Sequence, residues 1–403
     1  MAKKTKQRRK LGALVGELLS FKLDPGRPMW EVWFIEGLEG GRVSLLVKVH
    51  HCLADGTRGT RLLEVLFDLE PDAPFGRPDT PVLHGERIPP GWEMALRALP
   101  RLACTPLRAA RTSGHLGRSA LEMLRVRGSP EWPTATMPFQ APRTSLNRAI
   151  TPNRGFAFCS VPLSGVKTIK NAFSVTVNDV VLGICAGALR RYLADRGELP
   201  GKPLVAQIPV AVHGDNGGDV SGGAWGNAVT VMGVALATQL ADPIERLRAI
   251  HASSRSGKIM QHALGDDLIL DLADVVPPGL LAVGVRAYCR LQLAEHHPPI
   301  FNLIVSNVQG PSIPLYIAGA RLVAGHPIGP LLDGGGLNVT VLSYLDHIDF
   351  GFVVCPDIVE DPWEFAEATL EAFAELEKAA TMSASPSKRT NKARTKAVDG
   401  AGA

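Results

Sequence analysis

One short passage constrains this chain more than any other, a strand that ends in a turn dense with functional side chains. Residues 42–50 (RVSLLVKVH) form an apolar, strand-like run, and His50-His51-Cys52-Leu53-Ala54-Asp55-Gly56 then breaks the pattern. The segment TRGTRLLEVLFDL resumes with Leu62, Leu63, Val65, Leu66 and Leu69 at helical spacing, so the unit is a strand, a tight turn and a helix. Successive strand residues face opposite ways. Only one of the two histidines can therefore point into a given cleft, while the other packs or hydrogen-bonds elsewhere. Gly56 permits a positive φ where the chain reverses. Asp55 can cap the helix or pair with a cation to hold the loop, a structural role preferred here over direct proton transfer.

The rest of the chain alternates in the same way. Residues 29–36 and 42–50 predict strands about the turn Gly37 to Gly41, and 93–127 predicts a helix carrying seven arginines against Glu93 and Glu122. A basic amphipathic helix suits an anionic membrane surface or an acidic partner, and equally a solvated helix packed over the core. Further strands are expected at FAFCSVPL and near 203–212, 226–236, 300–306, 337–344 and 348–355. Helices are expected around SGVKTIKNAF, at Thr176 to Arg191, and near 242–260, 264–295 and 361–379. The fold class is mixed α/β. The expected divisions are a disordered basic leader at 1–10, an N-terminal subdomain at 11–127, a Pro-rich crossover at 128–154, a C-terminal subdomain at 155–380 and a disordered basic tail at 381–403.

Composition excludes several classes. The net charge of +4 conceals ends contributing +10, so the body between them carries −6. A nucleic-acid-binding body should instead carry its positive charge on a folded face. The six cysteines are far apart with no CxxC pair, which argues against a thiolate metal site and for buried, reduced thiols in a reducing cytoplasm. No uninterrupted apolar run reaches a membrane-spanning length. There is no GxSxG or GxxxxGK[ST], and Gly334-Gly335-Gly336 lacks dinucleotide spacing. His296-His297, followed by two prolines, suits a surface loop better than a metal site.

The motif HHxxxDG resembles that of the bacterial wax ester synthase/acyl-CoA:diacylglycerol acyltransferases, which share a chloramphenicol acetyltransferase-like fold. Other passages resemble the family in the same order: FKLDPGRPMWEVWFIEGLEGGRVSLLVKVHHCLADG, PRTSLN (Pro142 to Asn147), VTVNDVVLGICAGALRRYL (Val175 to Leu193), SNVQGPSIPLYIAGARL (Ser306 to Leu322) and GGGLNVTVLSYLDHIDFGFVVCPDIVEDPWEF (Gly334 to Phe365). The family's Pro-Leu-Asn stands here as Ser145-Leu146-Asn147. Members carry a longer stretch before the motif, so the first subdomain is expected to be short at its start.

The resemblance implies two subdomains with an active-site channel between them. It also implies transfer of a long-chain acyl group from acyl-CoA, as co-substrate and with no further cofactor, to diacylglycerol or a fatty alcohol. His51 would be the base, with His50, Asp55 and Gly56 completing the motif. Asn178 and Asp179 match the family's Asn-Asp pair, to orient the loop, donate to an oxyanion or simply cap a helix. Asn147 is expected to be structural, and Asn338 and Ser343 are weaker candidates on a strand facing the cleft. The expected location is the cytoplasm, peripherally at the inner face of the membrane or at lipid droplets. A catalytically impaired paralogue that binds lipid or a partner is the alternative.

Overall fold

The computed structural model describes residues 2–53, 63, 65–73, 87, 89–127, 136, 139–211, 229–264 and 276–384. Its centre is a six-stranded mixed sheet in the order β3 (Gly155–Pro162), β10 (His347–Val354), β9 (Leu337–Tyr344), β6 (Leu303–Gln309), β4 (Val205–Ala211), β5 (Val229–Ala235). Strand β6 runs parallel to both β9 and β4, and the other pairs are antiparallel. Strands β3, β9 and β10 are buried along most of their lengths, which explains why they are continuously apolar rather than alternating.

Helices α3 (Leu163–Phe173), α4 (Val177–Asp195), α5 (Pro243–Leu264) and α7 (Trp363–Ala384) pack on one another and on this sheet. Helix α4 is buried along nearly its whole length because Gly183 and Gly187 admit Leu247 and Ala372 against its backbone. Among the described residues no single helix is long and apolar enough to cross a membrane.

The N-terminal part is smaller. Strands β1 (Trp30–Ile35) and β2 (Ser44–Val49) form an antiparallel hairpin, with Glu31 opposite Lys48. Helix α2 (Gly91–Arg127) follows, and its apolar residues do not seek the core: Trp92, Met94, Leu96, Leu99, Leu102, Leu107 and Leu121 are all exposed.

Three expectations are corrected. The basic residues 2–10 are not a disordered leader but the first half of helix α1 (Ala2–Ser20). The arginines there have partners. Arg8 donates to the Phe158 carbonyl at 3.1 Å and lies over the Phe158 and Trp363 rings, and Arg9 pairs with Asp361 at 2.8 Å and Glu367 at 3.2 Å. The helix expected at 264–295 is not continuous among the described residues: a bend at Val276 precedes Pro277, α6 (Pro278–Arg290) begins at the Pro277-Pro278 pair, and Gln292 takes a left-handed conformation at φ 49°, while 265–275 lie outside the described residues. The cysteines are only half as buried as expected, with Cys159, Cys185 and Cys355 inside and Cys52, Cys104 and Cys289 exposed. A short hairpin, β7 (Tyr316–Ile317) and β8 (Ala320–Arg321), also turns at Ala318 and Gly319, both at positive φ.

A polar cluster is buried between β3 and β10. Asp349, fully buried, accepts from Ser160 Oγ at 2.5 Å and from the Gly325 amide at 2.9 Å, with His347 Nε2 at 3.3 Å and His326 Nδ1 at 3.9 Å. Burial pushes the His326 imidazole down to about 4 from an ordinary 6.5, against the pull of Asp349 and with Arg8 and His347 adding to the depression. The unfolded chain therefore takes up this proton first. Stability falls as pH drops from 6.5 toward 4, at up to about 1.4 kcal/mol per pH unit. Denaturant unfolding between pH 7 and 4.5 should show this slope and should lose it in His326→Gln; equal slopes in both proteins would refute the assignment.

Candidate functional site

Hairpin β1–β2 delivers the histidine turn. The His50 amide donates to the Met29 carbonyl at 2.9 Å and the Leu53 amide donates to the His50 carbonyl at 3.0 Å, so the turn closes on His50 itself. The His50 imidazole takes part, its Nδ1 accepting from the Cys52 amide at 3.2 Å. That bond needs a lone pair on Nδ1, so this imidazole holds its proton on Nε2 and serves the turn. His51 follows in the same turn with its side chain exposed. Asp55 and Gly56 lie outside the described residues. Both histidines are thus exposed residues of this turn, and His50 is bonded within it.

The Asn-Asp pair sits at the start of α4. Asp179 closes a capping box with Thr176: its Oδ2 accepts from the Thr176 amide at 2.9 Å and hydroxyl at 2.7 Å, while its own amide donates to Thr176 Oγ1 at 3.1 Å. The same Oδ2 lies 2.8 Å from His251 Nδ1 of α5. Burial alone would raise the Asp179 carboxyl, but the hydrogen bonds from His251 and Thr176 outweigh it and hold the group below its ordinary value. Asp179 is therefore a buried structural carboxylate that ties two helices together. Asn178 is half-buried beside β6, its Oδ1 accepting from Asn307 Nδ2 at 3.4 Å.

Asn147 is buried in an amide network. Its Nδ2 faces the carbonyls of Gly334 at 2.9 Å, Phe301 at 3.2 Å and Asn302 at 3.4 Å, and its Oδ1 accepts from Asn302 Nδ2 at 2.7 Å and Thr144 Oγ1 at 3.1 Å. Asn302 extends the network to the Pro142 carbonyl and the Val205 amide. Asn338 is likewise committed, donating to the Pro330 carbonyl at 3.0 Å and accepting from Thr340 Oγ1 at 2.7 Å, with only 2% of its surface exposed. Ser343 accepts from the Gly310 amide at 3.3 Å. Each of the three is bonded to protein groups around β9.

Two residues escaped the sequence reading. His251 lies 72 positions from Asp179 on a different helix, and Lys48 stands inside a strand where a polar residue invites no comment. Among the described residues no cluster of His, Cys, Asp or Glu could hold a metal ion. His297 of the paired loop histidines bonds Tyr288 through Nε2 at 2.6 Å.

Comparison with known proteins places this geometry in a family. Residues 4–181 match the profile described as wax ester synthase/diacylglycerol acyltransferase catalytic domain, and residues 225–377 match the WS/DGAT C-terminal domain. A Mycobacterium tuberculosis protein provisionally named a diacylglycerol O-acyltransferase is 36% identical over 371 residues, which cover 92% of this chain and 71% of that protein. A Mycobacterium bovis protein with the same provisional name is 37% identical over 358 residues, 86% of this chain and 67% of that one. The solved wax ester synthase/diacylglycerol acyltransferase from Marinobacter aquaeolei VT8 superposes with a TM-score of 0.64 at 29% identity, over 93% of this chain and 77% of its own. The chain belongs to the wax ester synthase/diacylglycerol acyltransferase family and has its mixed α/β fold.

The buried amide network makes a prediction. Asn147→Ala removes one of the Asn302 amide's bonds and the donor that faces the Gly334, Phe301 and Asn302 carbonyls, each unpaired group costing about 1–3 kcal/mol. Denaturant stability should fall by at least about 2 kcal/mol, while the folded fraction keeps its acyl-transfer rate. A stable but inactive variant would move Asn147 from scaffold to active site.

Proposed function

We propose that this chain is an acyl-CoA-dependent O-acyltransferase that moves a long-chain acyl group onto diacylglycerol, giving triacylglycerol, and also onto fatty alcohols, giving wax esters. The observation that carries the reading is the turn at the end of β2, which presents two adjacent exposed histidines, His50 bonded to the Cys52 amide and His51 beside it, in a chain of this family. The diacylglycerol acceptor is inferred from the provisional names of the mycobacterial relatives, and the fatty alcohol from the family description.

In this mechanism His51 takes the proton of the acceptor hydroxyl as its oxygen attacks the thioester carbonyl of acyl-CoA. A neutral imidazole suits that task near pH 7. The tetrahedral intermediate collapses with cleavage of the carbon–sulfur bond, the ester departs, and the CoA thiolate takes the proton back from the imidazolium. No acyl-enzyme forms, and the reaction needs no cofactor beyond the acyl-CoA co-substrate. Asn178 at the start of α4 is the supporting group whose amide is best suited to meet developing oxyanion charge.

The test uses the purified chain with labelled palmitoyl-CoA and either diacylglycerol or hexadecanol. Wild type should form labelled ester, and His51→Ala should lose that activity by two orders of magnitude or more. Equal ester formation by both would overturn the histidine base. No ester from wild type with either acceptor would leave the lipid-binding alternative in its place.

Both substrates live at a lipid surface, and α2 has the character of a contact with one. Its exposed Trp92, Leu96, Leu99, Leu102 and Leu107 share a helix with seven arginines, and such a helix gains both apolar burial and attraction to anionic headgroups. The proposed location is thus the cytoplasmic face of the membrane or the lipid-droplet surface. Reversing Arg108, Arg111 and Arg118 to Glu should reduce pelleting with anionic vesicles several-fold at low salt; unchanged pelleting would exclude α2 as the contact.

A further inference from the structure

The hairpin that carries His51 is small, and a two-stranded sheet is marginal by itself. Something must fix it relative to the six-stranded sheet if the histidine is to meet a substrate in a constant geometry. Leu46 is buried in the core and Gln7 of α1 donates to the Gly37 carbonyl at 3.3 Å, and Lys48, two residues before His50 on β2, fixes the end of the strand nearest the turn. Its side chain is only 12% exposed, and its ammonium donates to the Leu18 carbonyl at 3.0 Å and to the Phe21 carbonyl, with Glu31 of β1 at 3.8 Å. Leu18 lies in the last turn of α1, where carbonyls lack intrahelical partners and the helix dipole favours a cation.

Helix α1 is in turn locked to the large sheet along one stripe. Arg8, Gly12, Gly16 and Ser20 recur every fourth residue and face β3 and the residue before it. Arg8 donates to the Phe158 carbonyl, and Ser20 Oγ accepts from the Arg154 amide at 2.8 Å. A Cβ on Gly12 would stand 2.5 Å from the Phe156 carbonyl, and one on Gly16 2.6 Å from the Arg154 carbonyl, so no larger residue fits without displacing the helix. Beyond the turn, Asp68 and Tyr316 exchange backbone hydrogen bonds at 2.7 and 2.8 Å, tying the following segment to β7. Lys48 is thus a tether on the leading side of the histidine turn.

We propose that Lys48 is a positioning residue for the acyl transfer: it acts through His51 by fixing the end of β2 to α1, and through α1 to the body of the protein. This rests on the reading of His51 as the base. Removing the tether should lower the rate without weakening acyl-CoA binding, because a misplacement of about 1 Å can cost on the order of 100-fold in a proximity-dependent step.

The experiment uses the full chain as Lys48→Met, which keeps the apolar stem and deletes the donors, together with Lys48→Arg, His51→Ala and the Lys48→Met/His51→Ala double variant. In Lys48→Met, kcat should fall about 10- to 100-fold with KM for palmitoyl-CoA within about twofold. Lys48→Arg should recover most of the rate, and the double variant should be no slower than His51→Ala. Gly16→Ala, which leaves Lys48 intact but pushes α1 off β3, should reproduce the same split, so the proposal does not hang on one variant folding well. Amide exchange supplies a readout that needs no turnover: His50 to Leu53 should exchange at least about tenfold faster in Lys48→Met, with β9 unchanged. Wild-type kcat and unchanged exchange in Lys48→Met would overturn the proposal, as would a full multiplicative loss in the double variant. An active His51→Ala would instead overturn the base reading, while an inactive His51→Ala beside a wild-type Lys48→Met would sink the tether alone.

Discussion

Strand β3 lies at the edge of the large sheet, with its side chains buried, and an edge strand leaves a row of backbone groups unpaired. Helix α1 covers this margin. It can do so only because Gly12 and Gly16 let its backbone come against the strand, while Arg8 and Ser20 supply polar partners at the two ends of the stripe. The basic charge of the N-terminus, which resembles a solvated leader when counted residue by residue, is used here in structure. Arg9 reaches Asp361 and Glu367 and so joins α1 to the start of α7.

The second constraint is the buried carboxamide pair Asn147 and Asn302. Where the crossover enters the large sheet, backbone carbonyls from Pro142, Phe301, Asn302 and Gly334 converge with no strand to pair them. Two amides satisfy them, and Arg143 adds bonds to the carbonyls of Asn147, Ala294 and His297. A carboxamide is suited to this place because it both donates and accepts without carrying charge, whereas a buried ion would need a partner of its own. The cost of an unpaired group is what makes these positions sensitive, and it needs no role in catalysis to explain it.

Much of the fold was legible in the sequence because its strands and helices have strong, separate periodicities. The run from Phe156 to Leu163 and the pair at 337–344 and 348–355 emerge as β3, β9 and β10 almost to the residue. What sequence missed shares one physical cause, dependence on distant partners. Arg8 and Arg9 are ordered by Phe158, Trp363 and Asp361, more than 140 positions away. His251 gains its meaning only from Asp179, and Lys48 from the end of another element. The candidate site divides the same way. The His50-His51 turn announces itself locally, but Asn178, Asp179, Asn338 and Ser343 have partners outside their own elements, which come into view only in the fold.

The two adjacent histidines show how hydrogen bonding, rather than residue type, assigns roles. An imidazole whose Nδ1 accepts a backbone amide must stay neutral at that nitrogen, and protonating it would break the bond that closes the turn. A base that cycles between imidazole and imidazolium on every turnover cannot also hold that place. The proposed mechanism gives the cycling role to His51, the second histidine of the motif, while the Nδ1 of His50 accepts from the Cys52 amide. Lys48 fits the same logic. Its ammonium donates to the Leu18 and Phe21 carbonyls, so the strand end that leads into the turn is joined to the end of α1.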